Sequence, residues 1–422
     1  MIYALILFAV TYVLMLTFTK YRPYIALGSA VVFIATGMLP FDQIFGAIDW
    51  NVLLMIAGTM GLVQLFIDSR MPARLADMIM LKVPNVQMAA VALALFAGII
   101  SAFVDNVATV LMVAPVALAI CKKLKTNPVP FIIGIAVSSN LQGAATLVGD
   151  TTAIMLGSYA DMSFLDFFWY KGRPGIFFAV ELGAIASALI LAWLFRREKD
   201  SIEQRGELTP VTDYVPTVLL VGMIALLISA SFIPVKPDIT NGLICVSLFI
   251  IGMVYTFART RSADAFLGPI KSIDFETIGL LFGLFLVIGG ITNMGVVDAA
   301  AGLLARMGGG NVFVIYTVIV WASVLFSAFI DNIPYGATML PVVTGLASTL
   351  GIDPTLLYFG LLSGATLGGN CTPIGASANI TGIGILRREG YEVKTGDFCR
   401  IGIPFTLAAV IPAYIYFWLL YA

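Results

Sequence analysis

Residues 101–106 read SAFVDN and residues 327–332 read SAFIDN, so two hexapeptides that differ at one position lie 226 positions apart. The same offset, or one residue less, joins further pairs along the chain: Ile48-Asp49 and Ile273-Asp274, Pro115 and Pro341, Gly143 and Gly369, Thr146 and Thr372, and Gly149 and Gly375. A constant offset over so long a stretch indicates an internal repeat, not a chance match.

The composition is that of a membrane protein. Of the 422 residues, 60% are hydrophobic and 11% are charged, and the mean hydropathy is +1.01. Soluble domains are nearer one half apolar and one quarter charged. The first apolar run, residues 2–19, can cross a hydrocarbon core of about 30 Å. It lacks a basic n-region and a small-residue cleavage site, so we expect a retained span.

Several function classes find no support in the sequence. The four cysteines show no CxxC spacing and histidine is absent, so neither a zinc site nor a disulfide framework is indicated. No basic patch with interleaved aromatic residues suggests a nucleic-acid partner. No pairing of nucleophile and base can be assembled, so we expect no enzyme activity.

The apolar runs predict an all-α polytopic membrane protein with about ten transmembrane helices in two inverted repeats, each with a re-entrant hairpin and a broken helix. The halves are inverted because each contains an odd number of crossings, five by this prediction. The predicted parts are a first repeat at 1–196 (hairpin 87–121, broken helix 128–160), a linker at 197–214, and a second repeat at 215–422 (hairpin 311–349, broken helix 354–386). The remaining spans are predicted at 2–19, 24–40, 50–67, 174–195, 215–232, 240–258, 275–295 and 402–421.

The distribution of basic residues predicts the orientation. With the N-terminus outside, the segments 20–23, 68–84, 122–127, 196–214, 259–272 and 387–400 face the cytoplasm. Only four of the 23 Lys and Arg residues then lie outside, namely Lys171, Arg173, Lys236 and Arg306. This bias satisfies the positive-inside rule. We therefore expect a multi-pass protein of the cell (inner) membrane, with the linker 197–214 in the cytoplasm and the lipid bilayer as its surroundings.

The two Asp-Asn pairs, Asp105-Asn106 and Asp331-Asn332, each lie in the middle of a long apolar run. One interpretation is a solvated turn between two full spans. The other is a pair of re-entrant hairpins whose tips meet inside the protein, where only surrounding protein or a water-filled cavity tolerates irregular backbone. An ionisable residue at that depth is a functional-site hypothesis by default. We predict that these four residues bind a small ion, and Na+ is the candidate metal ion.

A second polar segment follows each hairpin, and both interrupt apolar runs with Gly, Thr, Asn and Ser. Small residues allow the backbone to unwind and turn its carbonyl groups toward a cation. The alternative is a kinked helix whose small residues only permit close packing. The further candidate ligands in and near these segments are Thr109, Asn140, Gly143, Thr146, Asp150, Gly369, Asn370, Thr372, Ser377 and Asn379.

The predicted core contains three carboxylates and no basic residue. Asp150 lacks an acidic counterpart, because Ala376 occupies the matching position in the second half. Like charges in a low dielectric do not all stay ionised without cations. We therefore expect no cofactor other than bound Na+, or protons in its place. We also expect that a multivalent anion does not bind directly.

Four motifs in order resemble the ArsB/NhaD permease group of the ion-transporter superfamily, and most closely its branch with the melanosomal P protein and arsenite-permease-like proteins. They are SAFVDNVATVLMVAPV (101–116), NLQGAATLVGD (140–150), SAFIDNIPYGATMLPVV (327–343) and GATLGGNCTPIGASANI (364–380). The resemblance implies ten or eleven spans, two hairpins and an elevator-like movement. It places the two Asp-Asn pairs where related dicarboxylate carriers have a cation-binding signature. The chain departs from the group at residues 149–152, Gly-Asp-Thr-Thr instead of Gly-Asp-Pro-Pro-Asn, and at Cys371, where Gly is usual.

From these observations we expect a secondary active transporter coupled to Na+ or protons. The favoured cargo is a small inorganic solute, with efflux of an arsenite- or antimonite-like species as the specific hypothesis. Na+/H+ exchange without other cargo, an anion or dicarboxylate carrier, and a passive anion channel are the alternatives. A homodimer is the expected assembly, and an arsenite exporter would also have a peripheral ATPase as its partner.

Overall fold

The computed structural model describes residues 1–124, 126–197 and 208–422 of the chain. Within these residues the structure is helical apart from one small antiparallel sheet, which pairs β1 (Trp169–Tyr170) with β2 (Arg173–Pro174). Short 3-10 helices occupy Thr19–Tyr21, Phe41–Gln43, Leu165–Phe167 and Gly369–Cys371. Most of the predicted linker, residues 198–207, lies outside the described residues.

The first half contains long apolar helices and a few short connecting ones. They are α1 (Ile2–Thr17), α2 (Arg22–Ala35), α3 (Ile44–Ala47), α4 (Trp50–Asp68), α5 (Met71–Met80), α6 (Val86–Ser101), α7 (Asn106–Leu124), α8 (Val129–Gly143), α9 (Thr151–Tyr159) and α10 (Ile176–Leu194).

The second half follows the same order of long and short helices. Its helices are α11 (Val215–Ser231), α12 (Thr240–Thr260), α13 (Ala263–Lys271), α14 (Phe275–Asn293), α15 (Val296–Met307), α16 (Val312–Ser327), α17 (Asn332–Leu350), α18 (Thr355–Gly368), α19 (Ser377–Arg388) and α20 (Thr395–Tyr421).

The chain is an all-α polytopic membrane protein, as the sequence predicts. By length and composition, six of the described helices can each cross a membrane: α4, α10, α12, α14, α17 and α20. Two bent pairs, α1 with α2 and α15 with α16, pass the same test together, and each turns by 117° at its break. The short helices α5, α13 and α15 lie in stretches for which no span is predicted. They have 9–12 residues and are therefore too short to cross a membrane alone.

Matched capping residues start the corresponding helices in both halves. The Asp49 side chain accepts a hydrogen bond from the Val52 N–H at the start of α4, and Asp274 accepts one from the Thr277 N–H at the start of α14. Asn85 and Asn311 cap α6 and α16 in the same way; these asparagines are 226 positions apart. Such caps satisfy N–H groups that a helix leaves unpaired. The domain boundaries and the inversion of the halves in the membrane stay predictions.

Both predicted hairpins are formed by two helices joined by a short turn at the Asp-Asn pair. The helices α6 and α7 form the first hairpin, and α16 and α17 form the second. Each is followed by two helix segments separated by a break of turns and bends, α8 and α9 in the first half and α18 and α19 in the second. These segments correspond to the predicted broken helices at 128–160 and 354–386.

Each broken helix approaches the tip of its hairpin at a glycine. A Cβ atom on Gly149 would lie 2.7 Å from the Ser101 carbonyl oxygen and 2.9 Å from that of Ala102. Gly375 meets Ser327 and Ala328 at 2.8 and 2.9 Å in the same manner. No side chain fits at such distances from backbone oxygen atoms. Glycine is therefore required for the contact between hairpin and broken helix.

We expect Gly149→Ala to destabilise the fold by about 1–3 kcal/mol, because the added methyl group overpacks a contact with rigid backbone. Thermal unfolding of the purified protein in detergent measures the change. Gly222→Ala in α11 is the matched control, since no atom lies within 4 Å of the position of its added Cβ. An unfolding temperature of Gly149→Ala equal to that of the control would contradict the role assigned to this glycine.

Candidate functional site

The carboxylates of the two tips cap the helices that follow them. Asp105 Oδ1 accepts hydrogen bonds from the backbone N–H groups of Val107 at 3.0 Å and Ala108 at 3.1 Å. Asp331 Oδ1 accepts one from the Ile333 N–H at 3.1 Å. Negative charge at a helix N-terminus is favourable because the unpaired N–H groups carry partial positive charge. The local sequence therefore fixes both carboxylates at the turns of their hairpins.

Four buried asparagines connect the two halves of the chain. Asn140 on α8 accepts a hydrogen bond from Asn106 Nδ2 at 2.9 Å. It donates through its own Nδ2 to Asn370 Oδ1 at 2.8 Å and to Asn379 Oδ1 at 2.9 Å. All four side chains are buried, and Asn140, Asn370 and Asn379 are completely so. The network thus joins the first tip to both parts of the second broken helix.

A second cross-link joins the first broken helix to the second tip. Asn332 Nδ2 donates to Asp150 Oδ2 at 3.2 Å, and the Thr152 hydroxyl donates to the same oxygen at 2.7 Å. The hydroxyls of Thr152 and Thr366 are 2.9 Å apart. Asp150 is buried, and its hydrogen bonds come from neutral groups. The structure therefore places the unmatched third carboxylate directly between the two halves.

The threonines predicted as ligands are used to hold the hairpin tips. The Thr146 hydroxyl donates to the Ala102 carbonyl oxygen, and the Thr372 hydroxyl donates to that of Ala328. These carbonyl groups lie at the ends of α6 and α16, where no helical partner is available. In these contacts the two threonines support the tips.

The expectation of a core without a basic residue is wrong. Arg22 Nη1 lies 3.4 Å from Asp331 Oδ2, and the Ser377 hydroxyl donates to the same oxygen at 3.1 Å. The side chain of Arg22 is only 17% exposed and that of Asp331 8%. The sequence predicts a cytoplasmic loop at Arg22, because a charged residue between two spans gives no sign of a partner 309 positions away. One of the three carboxylates therefore has a basic partner.

A cavity of about 120 Å³ lies where the tips face helices α4 and α14. Of the predicted ligands, it is lined by Asp105, Asn106, Asp150, Asn332 and Ser377. Four polar residues of the opposite wall are not among the predicted ligands: Gln64, Ser272, Asp274 and Thr277. Asp274 and Thr277 lie at the start of α14. In the sequence, the only signal for this helix start is the similarity of Ile273-Asp274 to Ile48-Asp49.

The other predicted ligands form a layer behind the cavity. The Thr109 hydroxyl is fully buried, and none of the described residues forms a hydrogen bond with it. Gly143 and Gly369 permit close packing: an added Cβ would lie 3.0 Å from the Asp150 side chain at Gly143 and 2.6 Å from the Gly375 carbonyl oxygen at Gly369. The predicted residues outside the cavity wall are Thr109, Asn140, Gly143, Thr146, Asp331, Gly369, Asn370, Thr372 and Asn379.

The predicted Na+ ligands do not form one cluster of acidic side chains. Across the described ranges, no group of three or more Asp, Glu or Cys residues is arranged to hold a metal ion. A Na+ ion at either tip would therefore take amide, hydroxyl and backbone carbonyl oxygens in addition to one carboxylate. Na+ binding at Asp105, Asn106, Asp331 and Asn332 stays a prediction.

Comparison with known proteins identifies relatives over the full chain. The CitMHS family model, described as a citrate transporter, matches residues 12–361 and 242–422. A protein of Mycobacterium tuberculosis described as an uncharacterized transporter is 29% identical over 442 residues, which span 100% of this chain and 99% of that protein. The P protein of Homo sapiens is 28% identical over 387 residues, which cover 74% of this chain and 46% of that protein.

One solved structure shows the same fold. The YdaH transporter of Alcanivorax borkumensis aligns with a TM-score of 0.62 over 96% of this chain and 97% of that chain, at 14% identity. The similarity to the P protein agrees with the branch suggested by the four motifs. Assignment to the ArsB/NhaD group itself stays a prediction.

We expect Asn140→Leu to destabilise the protein by about 1–3 kcal/mol, because it leaves buried amide groups of Asn106 and the second broken helix without partners. Thermal unfolding measures the loss. Asn293→Leu is the control, since its amide bonds to Gln43 at the exposed end of α14. Equal unfolding temperatures for the two variants would show that the asparagine network does not hold the halves together.

Proposed function

The chain belongs to the CitMHS citrate transporter family, and we propose that it is a secondary active carrier that moves a small anion together with Na+ or protons. It is a membrane transporter and not an enzyme, since the family and the full-length relatives are transporters. The coupling ion and the cargo are the parts that we propose.

The observation that carries the proposal is the convergence of four helix starts on one cavity. The wall includes the first residues of α7, α9, α17 and α19. Helix N-termini attract anions through their free N–H groups and partial positive charge. Three carboxylates lie at the same helix starts, however, and they repel an anion. An anion therefore binds well only together with cations that neutralise the carboxylates, and this requirement couples the two fluxes.

Two cavities at opposite ends of α4 support alternating access. The first contacts α4 from Met60 to Ile67 and includes Asp274, which lies next to the predicted cytoplasmic segment 259–272. The second, of about 840 Å³, contacts α4 from Trp50 to Met55 and lies on the side predicted to be outside. In the proposed cycle, the tips are accessible from the cytoplasm in the present state. In the second state they are accessible from the second cavity. The elevator-like movement implied by the family resemblance connects the two.

The family description favours a carboxylate cargo such as citrate, and the motif resemblance adds arsenite and antimonite as a second class. Location in the cell membrane with the N-terminus outside, a homodimer, and an ATPase partner in the case of arsenite export belong to the same proposal.

Transport in proteoliposomes tests the function. Purified protein is supplied with citrate, dicarboxylates or arsenite under an imposed Na+ or proton gradient. We expect gradient-dependent accumulation of an anion. Exchange of Na+ for protons without any cargo would replace the proposal with the antiporter alternative. Flux that only follows the electrochemical gradient of the anion would replace it with the channel.

We expect Asp105→Asn and Asp331→Asn each to lower coupled flux by about tenfold or more. The reason is that each variant loses charge-assisted contacts worth about 1.5–3 kcal/mol. Asp353→Asn is the control, because Asp353 is 58% exposed and pairs with Lys171 at the surface. Coupled flux equal to that of the control in both tip variants would contradict the placement of the site.

A further inference from the structure

We propose that Arg22 is a built-in counter-cation for Asp331, so that the coupling cation enters at the first tip and not at the second. The two tips share their sequence but not their charge balance. This inference rests on the proposed coupling of cation and anion fluxes. It assigns the transported cation to Asp105 and Asp150. Asp331 is instead neutralised by the Arg22 side chain, which is part of the protein.

The contacts of Arg22 hold its charge against the second tip. Its Nε atom donates to the Met15 carbonyl oxygen at 3.3 Å, and its Nη1 atom lies 3.4 Å from Asp331 Oδ2. The other carboxylate oxygen is occupied by the Ile333 N–H. With Ser377 on Oδ2 as well, both oxygens of Asp331 already have donors, which leaves little room for an ion. A guanidinium group stays charged at all physiological pH values.

The first tip has no such partner. Among residues 1–124, 126–197 and 208–422, neither Asp105 nor Asp150 takes part in an ion pair. The hydrogen bonds of Asp105 run from backbone N–H groups to Oδ1, and its side chain lines the open cavity. A cation that enters the cavity therefore reaches a carboxylate that the protein leaves uncompensated.

The packing of the two halves shows that this difference is built into the sequence. Gly58 packs closely against Cys245 and Val246, and Gly283 packs against Ala26 and Leu27 in the same way. This register pairs α12 with α2 and places Asn241 where the other half has Arg22. An amide cannot neutralise a carboxylate, so the position on α12 that corresponds to Arg22 offers the first tip no cation at the second cavity, which Asn241 lines. Lys236 also lines that cavity, and its amino group donates to the Ala230 carbonyl oxygen at 2.9 Å.

The experiment counts cations through their effect on stability. A ligand that binds only the folded state raises its stability in proportion to the logarithm of ligand concentration and to the number of ions bound. The unfolding temperature of the purified protein is measured against Na+ at fixed pH, with choline as replacement, and against pH without Na+. The charged and titratable groups around Asp331 are Arg22, which pairs with it, and Asp150, which accepts a hydrogen bond from the adjacent Asn332. Tyr12 donates to the Pro334 carbonyl oxygen on the following helix, and Tyr335 lies on that helix.

We expect Arg22→Gln to increase the slope of one of these titrations by one additional bound cation, because Asp331 then needs a counter-ion. The double variant Arg22→Gln with Asp331→Asn returns to the wild-type slope, since both charges are gone. Lys122→Gln is the control for loss of a basic residue, as Lys122 is 57% exposed and pairs with Glu389. Slopes of Arg22→Gln that equal those of the wild type in both titrations would overturn the proposal.

Two further single variants decide the matter if Arg22→Gln does not fold. Asp105→Asn lowers the cation slope, whereas Asp331→Asn leaves it unchanged. An equal loss in both variants would overturn the proposal. The titrations need neither cargo nor flux. A failure of anion transport in proteoliposomes would therefore refute the proposed function separately from the cation count.

Discussion

The structure depends on how the backbone at the hairpin tips is hydrogen-bonded inside a membrane. A chain that turns back within the bilayer exposes carbonyl and N–H groups that lipid cannot bind. Here the following segment supplies the partners: Thr146 and Thr372 donate to the last carbonyl groups of α6 and α16, and Gly149 and Gly375 allow the necessary approach. Each hairpin therefore depends on its broken helix for the hydrogen bonds at its tip.

The same constraint explains why polar side chains fill the centre of so apolar a chain. Asn140 has both a donor and an acceptor in its amide, so it accepts from the first tip and donates twice to the second broken helix. Buried amides that are fully paired specify one arrangement of their neighbours. The network joins the first tip to the second broken helix, and the cavity lies between the tips and helices α4 and α14.

The two tips differ in how their carboxylate charge is compensated. The aspartate of each tip caps the helix that follows it, but among the described residues Arg22 pairs only with Asp331. An uncompensated carboxylate is costly in a low dielectric, and in the proposed cycle this cost favours binding of an external cation at the first tip. In that proposal the two halves of the repeat differ through one basic residue on α2 and an asparagine at the corresponding place on α12.

The sequence by itself determined the membrane class, the internal repeat, both hairpins, both broken helices and the two acidic tips, because these depend on local composition and on matches along one chain. Only the tertiary structure decided which residues meet. The Arg22–Asp331 pair, the links through Asn140 and the wall formed by Gln64 and Asp274 join segments far apart in the chain. No periodicity or spacing encodes such contacts, since they arise from how whole helices pack against one another.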